Sequence, residues 1–305
     1  MTLPWNPLAL AELEMIRMTY REKSERRGNP KRKAISVAAI QMSSGDNCHD
    51  NFNRAIELMT QAVLSDQASL LVLPENFLCF GFKGRDELLA NMDRFIAELK
   101  SFAKQHAVSV IAGSIPNPTK PDGTTCESKL RSSSLAINGQ GEIVARYDKM
   151  HLFDVDIADE QGSYRESEAF EAGDDLIVSI LAGWNIGMAI CYDLRFPELF
   201  QAQRVAGAEV ISLPSAFTEV TGRAHWEVLV RVRAIETQCF VIAANQTGDH
   251  GGGRKTWGHS MIVDPWGKIL AQCDDKAAYC VAEIDAQEQD KLRASLPVFN
   301  HKRLF

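Results

Sequence analysis

The sequence predicts an α/β protein in which helices cover a mixed β-sheet, and three features indicate this fold class. Nearly continuous apolar runs, such as residues 34–41, are typical of strands whose two faces are both covered. Segments with apolar residues at helical spacing alternate with these runs along most of the chain. Short polar turns also join some neighbouring runs, so the sheet is expected to contain antiparallel as well as parallel strands.

The elements of the first half follow a strand, helix, strand order. A helix is predicted between the strands at 34–41 and 70–73, and a second helix leads to a strand at 108–112. The turn Asn138-Gly-Gln-Gly141 predicts a hairpin, because asparagine and glycine tolerate positive φ. The apolar positions that predict the two helices are Phe52, Ile56, Met59 and Val63 for the first, and Leu88, Phe95, Leu99 and Phe102 for the second.

The second half repeats the alternation and ends in another predicted hairpin. Its turn is Asp264-Pro-Trp-Gly267, where proline at the second position and glycine at the fourth favour a type I turn. The predicted elements are strands at 177–180, 186–190, 209–213, 239–244, 259–263 and 268–271, and helices at 197–206 and 224–238.

Composition excludes several classes of partner and compartment. The 305-residue chain carries a net charge of -7 at pH 7, which disfavours nucleic acid or an anionic membrane surface as a partner. No apolar run approaches the roughly 20 residues that span a bilayer. Glu12, Glu14 and Arg17 interrupt the N-terminal segment, so it does not resemble a secretory signal. We therefore expect a cytoplasmic protein without a membrane partner.

Residues 1–33 are interpreted as an N-terminal extension without visible chemistry, and residues 34–305 as one domain. The seven cysteines form no CxxC pair, and their odd number suits reduced thiols better than a disulfide framework. Cys239 and Cys280 are expected to be small buried hydrophobes. The scattered histidines and the absence of metal-ligand spacing predict neither a metal nor another cofactor.

Three chemically reactive side chains stand where predicted strands end. Cys191 follows an apolar run and begins a polar turn, a corner that exposes a side chain beside free backbone N–H groups. Glu75 follows the run 70–74, and Lys149 closes the run 143–149. A thiol, a carboxylate and an ammonium group at such corners predict a hydrolytic site with a covalent step.

The chemistry requires all three groups. A thiol with an ordinary pKa of about 8.5 is mostly protonated at neutral pH, and Glu75 can accept its proton and later pass it to a leaving amine. Lys149 favours the thiolate and, with the Tyr192 N–H, can hold the oxyanion. The sequence therefore predicts hydrolysis of an amide through a thioester on Cys191, with Glu75 activating the water.

Each residue also has an ordinary explanation when it is taken singly. Glu75 could be a helix N-cap, Lys149 a surface residue of a hairpin and Cys191 a buried thiol. A thiol peroxidase would gain nothing from the glutamate and the lysine. A non-enzymatic scaffold that binds partners through residues 1–33 would not need all three reactive groups.

Three segments resemble the signature motifs of the carbon–nitrogen hydrolase (nitrilase) superfamily, in the same order. They are Leu73-Pro-Glu75, Arg146-Tyr-Asp-Lys149-Met-His-Leu-Phe153 and Ile190-Cys191-Tyr-Asp-Leu-Arg-Phe-Pro-Glu198. The resemblance implies a four-layer αββα sandwich that pairs into a homodimer or a higher homo-oligomer. It also implies that Glu75 is the general base, Lys149 the oxyanion stabiliser and Cys191 the nucleophile, with Glu166 as a second glutamate of the site.

Segments 214–227, 233–238, 257–267 and 296–303 resemble the Nit branch of that superfamily. This branch includes deaminated glutathione amidases and ω-amidases, and Cys239 after Gln238 is more similar to the former. The resemblance implies deaminated glutathione as the substrate, with 2-oxoglutaramate or an N-carbamoyl amino acid as alternatives. The chain departs from the family pattern in its N-terminal extension and in the loop 247–255.

A carboxylate-bearing amide should require a cationic pocket. Arg195, four residues beyond the nucleophile, is the first candidate for substrate binding, although it could instead pair with Glu198 or a partner subunit. Residues that follow a predicted strand end should line the pocket mouth, and Trp226 among them is expected to be a core or interface aromatic. The expected mouth residues are Phe217, Thr221 and His225.

Overall fold

The computed structural model describes residues 32–80, 84–157 and 162–303, which contain seventeen strands and five α-helices. Residues 1–31 of the predicted N-terminal extension lie outside these ranges. The strands are β1 Ile35–Gln41, β2 Leu70–Val72, β3 Ser109–Asn117, β4 Leu130–Ile137, β5 Ile143–Asp148, β6 Asp154–Asp156, β7 Ser163–Arg165, β8 Phe170–Glu171, β9 Val178–Leu181, β10 Trp184–Met188, β11 Val210–Ser215, β12 Phe240–Asn245, β13 Thr247–Asp249, β14 Lys255–Trp257, β15 Met261–Val263, β16 Ile269–Gln272 and β17 Ala278–Ile284.

The α-helices flank two sheets. The helices are α1 Cys48–Asp66, α2 Arg85–His106, α3 Pro197–Val205, α4 Glu219–Thr237 and α5 Ala286–Ser295. Helices α1 and α2 pack on the outer face of one sheet, and α3 and α4 pack on the outer face of the other.

The two sheets are mixed and lie face to face. The first has the order β17-β1-β2-β3-β4-β5, with β8 paired to β4, and the second has the order β16-β15-β12-β11-β10-β9. Strands β1, β2 and β3 run parallel, as do β10, β11 and β12, whereas the outer strands are antiparallel. Contacts between β1 and β12 join the sheets into a four-layer αββα sandwich, which confirms the predicted fold class.

Strand β1 shows why a continuous apolar run forms a strand here. Val37 and Ala39 face the core between the two sheets, whereas Ala38 and Ile40 face the core beneath α1 and α2. Successive side chains of a strand point to opposite faces, so a strand buried on both faces is apolar at most positions. This strand therefore contributes to both cores, as its composition predicts.

Helix α4 begins five residues before its predicted start. The Thr218 side chain accepts a hydrogen bond from the Thr221 N–H at 3.3 Å and caps the helix, and Glu219 places a negative charge in its first turn. These polar residues carry no apolar periodicity, so the pattern missed the first turn. Two short hairpins, β6–β7 and β13–β14, the strand β17 and helix α5 were also not predicted.

The described part of the chain contains no helix long and apolar enough to cross a membrane. At its N-terminal end, Arg32 forms ion pairs with Glu209 and, at 2.6 Å, with Asp290. The start of the described chain is therefore attached to the second sheet and to α5.

Candidate active site

Cys191 lies at a strained corner after β10. It begins a 3-10 helix, Cys191–Arg195, and its φ of +47° falls in the left-handed region that non-glycine residues seldom adopt. Asp193 stabilises this corner, since its Oδ2 accepts hydrogen bonds from the Ile190 N–H at 2.8 Å and the Tyr147 hydroxyl at 2.7 Å. Such strain persists only where surrounding contacts impose it, as the hydrogen bonds of Asp193 do here.

Asp193 is fully buried and also anchors the segment that follows Lys149. Its Oδ1 lies 3.1 Å from the His151 backbone nitrogen and 2.7 Å from His151 Nδ1, and the His151 ring stacks on Phe196 at 3.8 Å. Burial, together with the Asp193 carboxylate, raises the pKa of Tyr147 well above its ordinary value, so its hydroxyl remains a donor. One carboxylate therefore connects the cysteine corner to the lysine corner.

Glu75 lies at the corner after β2, and backbone contacts fix its position. Gln246 Nε2 donates to the Glu75 carbonyl oxygen at 2.9 Å, and the Asn76 N–H donates to Ser114 Oγ at 3.0 Å. Strand β3 passes so close to this corner that a Cβ at Gly113 would lie 2.0 Å from the Pro74 carbonyl oxygen. Only glycine allows this approach, which holds the glutamate against the neighbouring strand.

Lys149 joins two carboxylates from different parts of the chain. Its side chain is 2% exposed, and its Nζ lies 2.8 Å from Glu75 Oε1 and 2.8 Å from Glu166 Oε2. Glu166 belongs to a 3-10 helix, Glu166–Glu168, and its Oε2 also accepts a hydrogen bond from the Phe153 N–H at 2.7 Å. The lysine predicted from sequence to be reactive is thus held in one position by both predicted glutamates.

The electrostatics of this cluster determine which groups carry charge. Burial alone would lower the pKa of Lys149, but the carboxylates of Glu166 and Glu75 raise it well above its ordinary value, so the ammonium stays charged. Burial and the nearby Glu75 carboxylate raise the pKa of Glu166, although Lys149 opposes the shift. The resting cluster therefore contains a fixed cation between two carboxylates.

Cys191 is 7% exposed, and its sulfur lies 3.5 Å from the Ala216 backbone nitrogen. Burial, followed by the charge of Glu75, raises the pKa of Cys191 well above that of an ordinary thiol, whereas Lys149 opposes the shift. The resting group is therefore a thiol. Within the described residues no acceptor pairs with the Tyr192 N–H, which belongs to the first turn of the 3-10 helix.

All four reactive residues line one cavity of about 460 Å³, a volume suited to a small-molecule substrate. Six of its 22 lining residues are aromatic, and cationic side chains lie among them. The lining residues are Glu75, Asn76, Phe80, Lys149, Phe153, Ser163, Tyr164, Arg165, Glu166, Glu168, Ala169, Phe170, Cys191, Tyr192, Arg195, Ala216, Phe217, Thr218, Thr221, Arg254, Lys255 and Thr256.

Three of the four residues expected to bind substrate lie on this wall. Arg195 places its guanidinium 5.2 Å from the ring centroid of Phe217 and 5.9 Å from that of Tyr192, and Thr221 lines the same cavity. Among the described residues, no carboxylate pairs with Arg195, so the alternative pairing with Glu198 is not formed. Arg195 therefore keeps its charge directed at the cavity.

His225 differs from the expectation. It does not line the cavity; its Nδ1 accepts a hydrogen bond from Arg195 Nη1 at 3.2 Å. One helical turn beyond the cavity wall on α4, it can support Arg195 but does not face a substrate. Its neighbour Trp226 is fully buried and donates to the His259 carbonyl oxygen at 2.7 Å, which confirms the prediction of a core aromatic.

Sequence patterns did not identify several cavity residues. Phe80 and Phe153 reach the wall from loops and Phe170 from the two-residue strand β8, and Arg254 and Lys255 come from the β13–β14 hairpin. These segments are short and have no apolar periodicity, so only their tertiary placement brings them to the site. The departure of the loop 247–255 from the family pattern was the one available signal.

A possible set of metal ligands lies outside the cavity. Within the described ranges, Cys48, His49 and Glu87 can offer three ligand atoms within 4.8 Å of one another. The Arg94 guanidinium lies 2.6 Å from His49 Nδ1, and this adjacent positive charge opposes a bound cation. None of these residues lines the cavity.

Replacing Lys149 with methionine should destabilise the fold in a pH-dependent way. The change leaves two carboxylates in a buried site without their cation, and we expect a loss of about 3–5 kcal/mol in the free energy of unfolding at pH 8. The pKa of Glu166, which burial already raises, should rise further, so protonation as the pH falls towards 5 removes the repulsion and reduces the loss. Urea unfolding at both pH values measures this difference.

A matched double variant tests whether charge causes this loss. Lys149→Met combined with Glu166→Gln has one buried carboxylate fewer and should regain part of the stability at pH 8. An equal loss for the single variant at pH 8 and pH 5, with no recovery in the double variant, would assign the effect to packing.

The sequence and the structure both resemble those of known proteins. The sequence profile of a family described as carbon–nitrogen hydrolase matches residues 36–294. A deaminated glutathione amidase of Yersinia enterocolitica is 43% identical over 276 residues, covering 89% of this chain and 94% of that protein. A human protein of the same name is 41% identical over 275 residues, covering 88% of this chain and 82% of that protein.

Two solved structures extend the likeness to three dimensions. The crystal structure of the Caenorhabditis elegans NitFhit protein matches with a TM-score of 0.82 and 37% identity, covering 90% of this chain and 66% of that chain. Saccharomyces cerevisiae Nit3, described as a member of branch 10 of the nitrilase superfamily, matches with a TM-score of 0.77 and 27% identity, covering 89% of this chain and 97% of that chain. The likeness therefore extends well beyond the three motifs.

Proposed function

Because the chain belongs to the carbon–nitrogen hydrolase family, and is therefore a hydrolase of amide-type bonds, we propose that its substrate is deaminated glutathione. One observation carries the proposal: a thiol, an ammonium group and two carboxylates converge in one cavity with a cationic wall. Similar proteins named deaminated glutathione amidase occur in a bacterium, an amoeba and mammals, which supports the choice of substrate. The seven free cysteines suit a reducing compartment such as the cytoplasm.

The first half of the proposed reaction forms a thioester. The Glu75 carboxylate accepts the proton of the Cys191 thiol as the sulfur attacks the amide carbonyl carbon. The resulting oxyanion is held by the Lys149 ammonium and the Tyr192 N–H. Glu75 then gives its proton to the amide nitrogen, the C–N bond breaks, and the amine leaves with the acyl group still bound to sulfur.

The second half releases the acid and restores the site. Glu75 takes a proton from water as the water oxygen attacks the thioester carbonyl carbon, and the same two donors hold the oxyanion. The C–S bond breaks, and the proton on Glu75 returns to the sulfur. Glu166 acts through Lys149: its carboxylate, 2.8 Å from the ammonium, keeps the cation charged and in position.

A comparison of substrates tests the proposed function. Purified protein is given deaminated glutathione, 2-oxoglutaramate, an N-carbamoyl amino acid and a nitrile at equal concentration, and kcat/KM is measured for each. We expect the highest value for deaminated glutathione. A higher value for 2-oxoglutaramate would favour ω-amidase activity, and no turnover of either amide by a protein whose Cys191 is alkylatable would refute both.

The protein is further proposed to be a homodimer that pairs through α4. Val228, Val232 and Ile235 lie on one face of this helix and are 61%, 39% and 48% exposed, and Trp266 on the adjacent turn is 68% exposed. An apolar surface on a helix that already covers the second sheet suits a self-complementary contact. We propose that the same surface of a second copy of this chain covers it.

Val228→Asp with Val232→Asp should convert the dimer to a monomer. The changes remove apolar area and bring four carboxylates together across a two-fold interface, so the dissociation constant should rise at least about 100-fold. Light scattering after size exclusion measures the mass. Val144→Asp, at a valine 41% exposed on β5, is the matched control and should leave the mass unchanged; a monomeric wild-type protein would refute the proposal.

A further inference from the structure

The β13–β14 hairpin forms part of the cavity wall and brings two cationic side chains to it. Arg254 precedes β14 and is half-buried, whereas Lys255 begins the strand and is exposed. Neither belongs to the segments that carry the reactive groups. Besides Lys149, the cavity therefore receives cationic groups from three elements: this hairpin, the 3-10 helix that contains Arg195, and β7, which contains Arg165.

Contacts beneath the hairpin fix it in place. His250 is buried, with Nδ1 2.7 Å from the Ser44 carbonyl oxygen and Nε2 2.7 Å from Thr256 Oγ1, and its ring stacks on Phe80 at 3.9 Å. Burial lowers the pKa of His250, so the ring is neutral at physiological pH. The end of the hairpin next to the two cations is therefore held by the core.

The other end of the hairpin is joined to the cavity wall. The Trp257 N–H donates to the Phe217 carbonyl oxygen at 2.9 Å, which pairs β14 with the segment before α4. A Cβ at Gly222 would lie 2.2 Å from the Trp257 Cβ, so the first turn of α4 packs directly on the tryptophan. Because both ends of the hairpin are fixed, the backbone that carries Arg254 and Lys255 has a defined position beside the cavity.

Deaminated glutathione has a carboxylate on each side of the amide that is cleaved. One belongs to the 2-oxoglutaryl half, which stays on Cys191 as a thioester, and the other ends the cysteinylglycine half, which leaves first. Because the leaving half departs while the acyl half is still bound to Cys191, we expect it to lie on the solvent side of the cavity, where Lys255 is exposed. By contrast, 2-oxoglutaramate has a carboxylate only on its acyl half, because its leaving group is ammonia.

We propose that Arg254 and Lys255 bind the carboxylate of the leaving half and so select peptide-like amides over primary amides. This inference rests on the proposed function. Arg195, on the helix that begins with the nucleophile, is then left to bind the acyl half. Arg165 also lines the cavity, from the separate β6–β7 hairpin, where it pairs with Asp156 at 2.7 Å and donates to the Val155 carbonyl oxygen.

Alanine variants of the two cations test the proposal on two substrates. For Arg254→Ala, kcat/KM for deaminated glutathione should fall about 10- to 100-fold, mainly through KM, because a charge-assisted contact is lost. For 2-oxoglutaramate it should change less than about threefold. Lys255→Ala should also lower kcat/KM more for deaminated glutathione than for 2-oxoglutaramate. Arg254→Lys keeps the positive charge and should lose less kcat/KM than Arg254→Ala. Lys104→Ala, which removes one exposed positive charge from α2, is the matched control.

A modified substrate separates binding from a structural effect. Deaminated glutathione with its terminal carboxylate converted to an amide should be a poorer substrate for the wild type, and Arg254→Ala should barely affect its turnover. If Arg254→Ala lost equal kcat/KM on deaminated glutathione and 2-oxoglutaramate, or lost none on deaminated glutathione, the inference would be overturned while the proposed function stayed intact. A wild-type protein inactive on deaminated glutathione would overturn both.

Discussion

Replacing Cys191 with alanine is expected to lower kcat for deaminated glutathione by about 10⁴-fold or more, because the covalent route is lost when the nucleophile is removed. The fold should tolerate the change. Cys191 is 7% exposed beside a cavity, and alanine adopts the left-handed φ of +47° no less readily than cysteine. The measurements are the release of cysteinylglycine and, by mass spectrometry of quenched reactions, the acyl group bound to the protein.

The matched control for this variant is Cys126→Ala. Cys126 is partly exposed, lies outside the cavity and should be dispensable for turnover. We expect the wild type and Cys126→Ala to carry the acyl adduct during turnover and Cys191→Ala to carry none. Activity of Cys191→Ala within tenfold of the wild type would exclude a thioester on this residue.

The architecture could be predicted where burial dictates composition. Strands β1, β11 and β12 lie between other layers, so most of their side chains are apolar and the runs are visible in the sequence. Strand β17 lies at a sheet edge and buries only Cys280 and Ile284, and α5 buries only Ala286 and Gln289. These elements depend on pairing with β1 and on contacts with the second sheet, which no local pattern reveals.

The reactive residues could be predicted for a different reason. Glu75, Lys149 and Cys191 each stand where a predicted strand ends and within a family motif, so they were expected to share one site. The structure brings them together from two sheets, because β2 and β5 belong to the first sheet and β10 to the second. The support of these corners could not be predicted. Asp193 contacts Tyr147 and His151, more than 40 residues away in sequence, and Gln246 reaches Glu75 across 171 residues, so both supports depend on tertiary structure.

Glu75 is the group on which both halves of the proposed reaction depend. Its carboxylate lies 2.8 Å from Lys149, and its negative charge is one of the causes that raise the pKa of Cys191. The same charge that makes it a proton acceptor therefore disfavours the thiolate in the resting enzyme. The proton must therefore move to Glu75 as the sulfur attacks. The negative charge that Glu75 needs as a base is the same charge that disfavours the Cys191 thiolate.

Glu75→Gln should separate these two effects. We expect kcat to fall about 10³-fold, because glutamine cannot shuttle a proton. Removing the negative charge should also lower the pKa of Cys191, so that more thiolate forms at pH 7.5 and iodoacetamide alkylates Cys191 faster than in the wild type. In a pH series, the increase of the alkylation rate with rising pH should begin at a lower pH in the variant than in the wild type.

Glu168→Gln is the matched control, since it makes the same change in the same cavity at a residue without a contact to Lys149. It should alter neither rate by more than about threefold. If alkylation of the Glu75→Gln variant instead fell in parallel with kcat, the carboxylate would be needed to deprotonate the thiol for any electrophile. If kcat stayed above a tenth of the wild-type value, Glu75 would not be the base. A lower kcat together with faster alkylation would show that Glu75 has two effects: its charge disfavours the Cys191 thiolate, and its carboxylate carries the proton during turnover.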